Sequence, residues 1–151
     1  YTHFDMNFSF APIKDLYKYQ VVQLAKRDSR IPKNVWSKAP SAELAFGQTD
    51  EDNLLPYNIL DYLVMAYVEE SIGSFNLFRE WCMINRPEHM RLDKEVLKEW
   101  LDSDHAPNEY ERIASMIGKM EYKRRQTCPG TKVSKVAFGV GRRLPVVNKW
   151  S

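Results

Sequence analysis

The sequence predicts a mainly α-helical chain, with extended segments only near its two ends. Three observations carry that reading. Apolar residues recur every three or four positions in several stretches, the spacing of one helix face. Prolines stand where helices open, at Pro12, Pro56 and Pro107, where the missing N–H costs nothing. Breaking groups, Asp28-Ser29, Gly73-Ser74 and Asn85-Arg86-Pro87, fall between the patterned stretches.

Taken in order, residues 1–10 alternate aromatic and polar types loosely, which reads as a short strand or extended loop. Pro12 opens an amphipathic helix that runs to about Arg27. Leu16, Tyr19, Val22 (or Gln23) and Lys26 trace one stripe, with Ile13, Leu16, Gln20 and Leu24 beside it. Residues 33–37 add one turn after Pro32. The stretch 38–57, KAPSAELAFGQTDEDNLLPY, carries too many turn formers and acids to be plain core, and Pro40 holds its neighbour extended. Thr49 followed by Asp50, Glu51 and Asp52 reads as a helix cap with acids near a positive N-terminus.

Residues 57–72 form a strongly apolar helix carrying Ile59, Leu60, Leu63, Val64, Tyr67 and Val68, and residues 75–84 form a second. Asp93 caps a short helix through Leu101. Pro107 starts another with Tyr110, Ile113, Ala114, Ile117 and Met120 at helical spacing, expected to reach Lys123 or Arg124. Beyond Pro129-Gly130 the chain is irregular, with a short strand expected around 133–138.

A chain of 151 residues with 44% hydrophobic and 28% charged content is one globular domain with a core of its own. No apolar run approaches the ~20 residues of a spanning helix and no signal peptide opens the chain, so a cytoplasmic setting without membrane partners is expected. Cys82 and Cys128 have no metal or redox spacing, and two free thiols are expected. His3, His89 and His105 share no ligand spacing, and Asp50-Glu51-Asp52 lacks the alternation of a calcium loop. The net charge of +2 hides an asymmetry. From Lys119 onward stand Lys123, Arg124, Arg125, Lys132, Lys135, Arg142, Arg143 and Lys149, opposed only by Glu121. Such a segment seeks an anion.

Three motifs in order are more specific: Pro12-Ile13-Lys14-Asp15-Leu16-Tyr17-Lys18; Lys38-Ala39-Pro40-Ser41-Ala42-Glu43-Leu44 followed by Gly47-Gln48-Thr49-Asp50-Glu51; and Tyr122-Lys123-Arg124. Together they resemble NAD synthetases, over nearly the whole chain and with the spacing kept. The resemblance implies an α/β parent fold of the adenine nucleotide alpha-hydrolase type, with a Rossmann-like parallel sheet. The chain would supply the mainly helical C-terminal portion, residues 1–151, with 126–151 as a basic tail. The phosphate-binding loop S-G-G-x-D-S of such enzymes is not in the sequence, so the chain alone is expected to be inactive.

The implied reaction is ATP-dependent amidation of deamido-NAD to NAD, with Mg²⁺, through an adenylated intermediate that ammonia attacks. Ammonia or glutamine as nitrogen source stays open. The resemblance assigns Lys18 and Ser41 to ATP, and Asp5, Tyr122 and Lys123 to deamido-NAD, with no metal ligand in the chain. The family's G-D-G context stands here as Phe4-Asp5-Met6-Asn7, and Tyr122 stands where many members have His. Lys123 is implied to reach across a homodimer. Taken alone, Lys18 would read as a solvated lysine, Ser41 as a turn serine, and Lys123-Arg124-Arg125 as a basic helix end. The competing class is a non-catalytic module for subunit pairing or for anions, including nucleic acid through phosphate. It ranks lower because aromatic residues do not interleave with the cations.

Overall fold

A computed structural model describes residues 9–41, 45–50, 53–84, 94–125, 128 and 130–133. Among the described residues seven helices follow in order: α1 (Lys18–Arg27), α2 (Lys33–Ser37), α3 (Tyr57–Val68), α4 (Phe75–Ile84), α5 (Lys94–Leu101), α6 (Ala106–Lys119) and α7 (Glu121–Arg125). Among the described residues the only β pairing is one parallel bridge between Ala11 and Gly130. The NAD synthetase resemblance places a parallel sheet in the parent fold; what is described here is helical. The extended segment expected at residues 1–10 and the strand expected at 133–138 fall mostly outside the described residues.

Helix α3 is the hub. Ile59, Leu60, Asp61, Tyr62, Leu63, Met65, Ala66 and Val68 are all buried, so the helix is covered nearly all round. A helix in that position reads as a continuous apolar run rather than a stripe. It packs against α1, α4 and α6. The other wall of the core is aromatic. Phe78 of α4, fully buried, lies 5.0 Å from the Tyr110 ring of α6 and edge-on to Trp100 of α5 at 6.3 Å. The buried polar ends are satisfied, as rings of this kind require. The Tyr110 hydroxyl donates to the Ile72 carbonyl at 2.8 Å, and the Trp100 indole N–H donates to Glu109 at 2.9 Å.

Three boundaries differ from the sequence reading. Pro12 opens a turn, not a helix: Lys14 N–H donates to the Ala11 carbonyl at 3.4 Å and Leu16 N–H to Ile13 at 3.0 Å. Helix α1 begins only at Lys18, after Tyr17 in extended conformation. Tertiary ties explain the delay, because this segment is pinned to Cys128 and Val133. Asp15, 1% exposed, accepts the Val133 N–H at 2.8 Å, and Lys14 Nζ donates to the Cys128 carbonyl. The stripe read beside the first one also fails, since Ile13 and Leu24 are each more than half exposed.

Helix α3 stops at Val68, short of Ile72. The reversal is made at Ser71, φ 63°, with Ile72 N–H returning to the Ala66 carbonyl at 3.0 Å. A left-handed residue there, with the next amide closing back onto the last turn, ends the helix whatever follows, so Gly73 is not the breaker. Directly after Thr49 a turn opens at Asp50, whose carbonyl accepts from Asn53 at 3.1 Å and Leu54 at 2.9 Å; residues 51 and 52 lie outside the described residues. The helix opened by Pro107 divides at Met120, whose N–H is shared among the carbonyls of Met116, Ile117 and Gly118. The division turns Glu121 inward to 1% exposure at the head of α7.

Candidate functional site

The head of α1 lies beside the head of α3, and the loop from 38 to 40 completes the rim. Between them is a cleft of about 450 Å³, lined by Lys18, Tyr19, Val22, Trp36, Lys38, Pro40, Tyr57 and Asn58, among others. Its walls are apolar and aromatic, and its cations stand at the mouth, where they remain hydrated. That combination suits a planar, anionic ligand.

Lys18 is exposed, and its Nζ stands over the Tyr57 ring, 5.9 Å from the centroid. The backbone beneath it is held as firmly as the tip. Asp61, from α3, accepts the Tyr19 N–H at 2.8 Å, and the neighbouring Lys18 amide also favours its charged form. This carboxylate is 5% exposed. Burial pushes it up to about 6, against the opposing pull of the two amides and of the Lys18 charge. Tyr17 precedes the helix, donating its own N–H to Gln20 Oε1 at 2.9 Å and its hydroxyl to Glu69. Burial, then the Glu69 hydrogen bond, holds the Tyr17 phenol far above its ordinary range.

The second predicted contact sits one residue beyond the rim. Ser41 Oγ donates to the Gln48 carbonyl at 2.5 Å, closing a loop in which Gly47 takes φ 74°. The Asp50 N–H donates to the Pro40 carbonyl at 2.8 Å, and Asp50 Oδ2 accepts the Tyr57 hydroxyl at 2.8 Å. Burial, then Asp50, pushes the Tyr57 phenol up to about 12, so it remains a neutral donor at physiological pH. One continuous set of contacts thus runs from Ser41 through Asp50 and Tyr57 to Lys18 and Asp61. The side-chain oxygen of Gln48 is buried with no partner among the described residues.

Tyr122 and Lys123 are half-buried on α7, which packs on the end of α6. Neither is among the residues lining the cleft. The structure therefore brings Lys18 and the Ser41 loop together and leaves Tyr122 and Lys123 apart from them. Asp5, residues 42–44, Glu51 and the basic segment from 134 onward lie outside the described residues. Among the described residues no three His, Cys, Asp or Glu side chains are grouped to hold a metal ion, and no helix is long and apolar enough to cross a membrane. Cys82 is buried and its thiol is pushed up to about 12, which makes it inert.

Asp61 and Tyr57 were invisible as site residues in the sequence. The available signal was the single charge of Ile59-Leu60-Asp61-Tyr62-Leu63: a carboxylate inside a buried run needs partners.

The family model described as NAD synthase matches residues 1–127. The chain is 42% identical over 150 residues to a glutamine-dependent NAD(+) synthetase of Aquifex aeolicus, covering 97% of the chain and 22% of that protein. It is 36% identical over 153 residues to the enzyme of that name from Xanthomonas campestris pv. campestris, covering 97% of the chain and 24% of the relative. A third, from Thermotoga maritima, is 34% identical over 152 residues, with coverage of 97% and 22%. The chain thus spans less than a quarter of the length of these relatives. No solved structure gives a significant match.

Proposed function

Because the chain belongs to the NAD synthase family, we propose that it forms the helical C-terminal portion of a synthetase that amidates deamido-NAD to NAD at the expense of ATP. Residues 1–151 would make up that portion, with 126–151 as its basic tail. The names of the relatives favour glutamine as the source of the ammonia. In this reaction the carboxylate of deamido-NAD attacks the α-phosphorus of ATP and pyrophosphate leaves. Ammonia then attacks the adenylated carbonyl, forms the amide and expels AMP.

The observation that carries the reading is the pre-set cation at the cleft. Two polyanions must meet, and charge grows on the departing pyrophosphate, so a fixed ammonium stabilises the transition state more than a mobile one. Lys18 is held at both ends, by Asp61 at its backbone and by the Tyr57 ring at its tip. Ser41 would turn its hydroxyl from the Gln48 carbonyl to a phosphate oxygen, donating without adding charge. The unpartnered Gln48 oxygen in the same loop is an acceptor that a ribose or amino group would satisfy. Tyr122 and Lys123, with Asp5, are proposed to face deamido-NAD, and their separation from the cleft fits the delivery of Lys123 to a neighbouring subunit's site in a homodimer. Mg²⁺, when bound, offsets phosphate charge. Among the described residues no three His, Cys, Asp or Glu side chains are grouped to hold it.

The test is Lys18→Ala in the full-length protein, assayed for NAD formation from deamido-NAD, ATP and glutamine. Removing one fixed cation is expected to lower kcat/KM by roughly 10²-fold. Activity within twofold of the parent refutes the assignment of Lys18.

A further inference from the structure

We propose that Asp61 is a positioning residue for Lys18: a buried carboxylate of α3 receives the first amides of α1 and so sets where the ammonium stands at the mouth of the cleft. This rests on the reading of Lys18 as an ATP contact.

The first turn of any helix leaves its N–H groups without intrahelical acceptors. The ordinary remedy is Ser, Thr, Asp or Asn at the preceding position. Position 17 is Tyr, and its hydroxyl is committed to Glu69. Gln20 serves only the Tyr17 N–H. The amides of Lys18 and Tyr19 are met instead by a carboxylate from another helix, in the interior. A serine at 17 would accept from the Tyr19 or Gln20 amide without burying a charge, so the arrangement is not the least costly one for folding. What it adds is a reference point. The Lys18 backbone and the Tyr57 ring under its ammonium are both fixed to α3, so the whole side chain is registered to one rigid element.

The charged and titratable groups acting on Asp61 are Lys18 from α1, Tyr17 from the segment before it, and Tyr57 from the first turn of α3. The two phenols stay neutral, one behind Glu69 and Asp15, the other behind Asp50. Asp61 is therefore the group whose charge changes in mildly acid solution, and Lys18 should report it.

The experiment uses the full-length protein, with Lys18→Ala, Asp61→Asn and the double variant, and ATP affinity by calorimetry from pH 5 to 7.5. Asn keeps the shape and one acceptor but turns an N–H₂ toward the helix amides. Asp61→Asn is expected to weaken ATP binding about tenfold. The double variant should be no weaker than Lys18→Ala, since both act through one cation. In the parent, the amide resonances of Lys18 and Tyr19 should titrate together with a midpoint near 6, and in Asp61→Asn they should not. ATP affinity unchanged in Asp61→Asn but lost in Lys18→Ala overturns the positioning role alone. Unchanged affinity in Lys18→Ala overturns the ATP reading, and this proposal with it. Amides that do not titrate in the parent overturn the cap, whether or not the Asn variant folds.

Discussion

Stability should fall as pH rises through the range in which Asp61 ionises, and the effect can be isolated with Asp61→Asn. The carboxyl titrates at about 6 in the folded protein against an ordinary value of 3.8. Between these values the folded state holds the proton and the unfolded state does not, so acid favours folding here. The contribution is complete below the unfolded value and is lost as pH climbs through the folded one. A difference of about two units corresponds to about 3 kcal/mol in all. At pH 5 the folded group is mostly protonated and the unfolded group mostly ionised, and roughly 1.4 kcal/mol is recovered relative to pH 7.5. Urea denaturation of the parent and of Asp61→Asn at the two pH values gives two differences. Subtracting them cancels carboxylates that do not couple to Asp61. The parent should gain about 1.4 kcal/mol on the variant at pH 5, or roughly 3–6 °C in Tm for a chain of this size. A gap that does not change with pH, or one that grows toward pH 7.5, refutes the reasoning that burial outweighs the two amide contacts.

Two other substitutions probe the frame around the site. Gly130→Ala would place a Cβ 2.4 Å from the Ala11 carbonyl oxygen and 2.8 Å from the Lys14 side chain. The first contact is backbone, so the paired segment must shift; a loss of about 1–3 kcal/mol and faster exchange of the Val133 amide are expected, and parental values for both would show that the pairing is dispensable. Phe78→Ala removes a fully buried ring from contact with Tyr110 and Trp100. It should cost about 3–5 kcal/mol by denaturant unfolding, and a cost under 1 kcal/mol would mean that the aromatic wall collapses into the space.

The helices that local pattern decides were legible. Residues 75–84 and the short helix through Leu101 fall where their apolar spacing and flanking breakers put them. Errors arose where distant contacts override local preference. Pro12 is a good helix opener in isolation, but Asp15 and Lys14 are engaged by Val133 and Cys128, and that pairing keeps 12–16 in turns. Likewise the Pro107 pattern continues past Met120 in sequence, while the fold turns Glu121 into the interior. Ser71 shows a third limit. Glycine is the usual left-handed residue, and a serine in that conformation two positions before Gly73 gives no warning.

For the site, motif order singled out Lys18 and Ser41, and the fold joins them through a loop and a ring that no motif links. The connecting residues illustrate what a one-dimensional reading can yield. Asp61 in an apolar run shows that a partner exists, because an unpaired buried carboxylate costs several kcal/mol. It does not show which partner, since the two amides lie 42 and 43 positions away and carry no side-chain signature. Tyr57 reads as core by type and spacing, yet its ring underlies the ammonium and its hydroxyl anchors the loop. Each works on or through a common group: Asp61 accepts from a backbone N–H that any residue but proline carries, and Tyr57 offers a ring face that any aromatic residue would supply. Motifs identify groups whose chemistry is rare, such as a cation at a helix head. The common groups that hold them in place become visible only when the helices are packed.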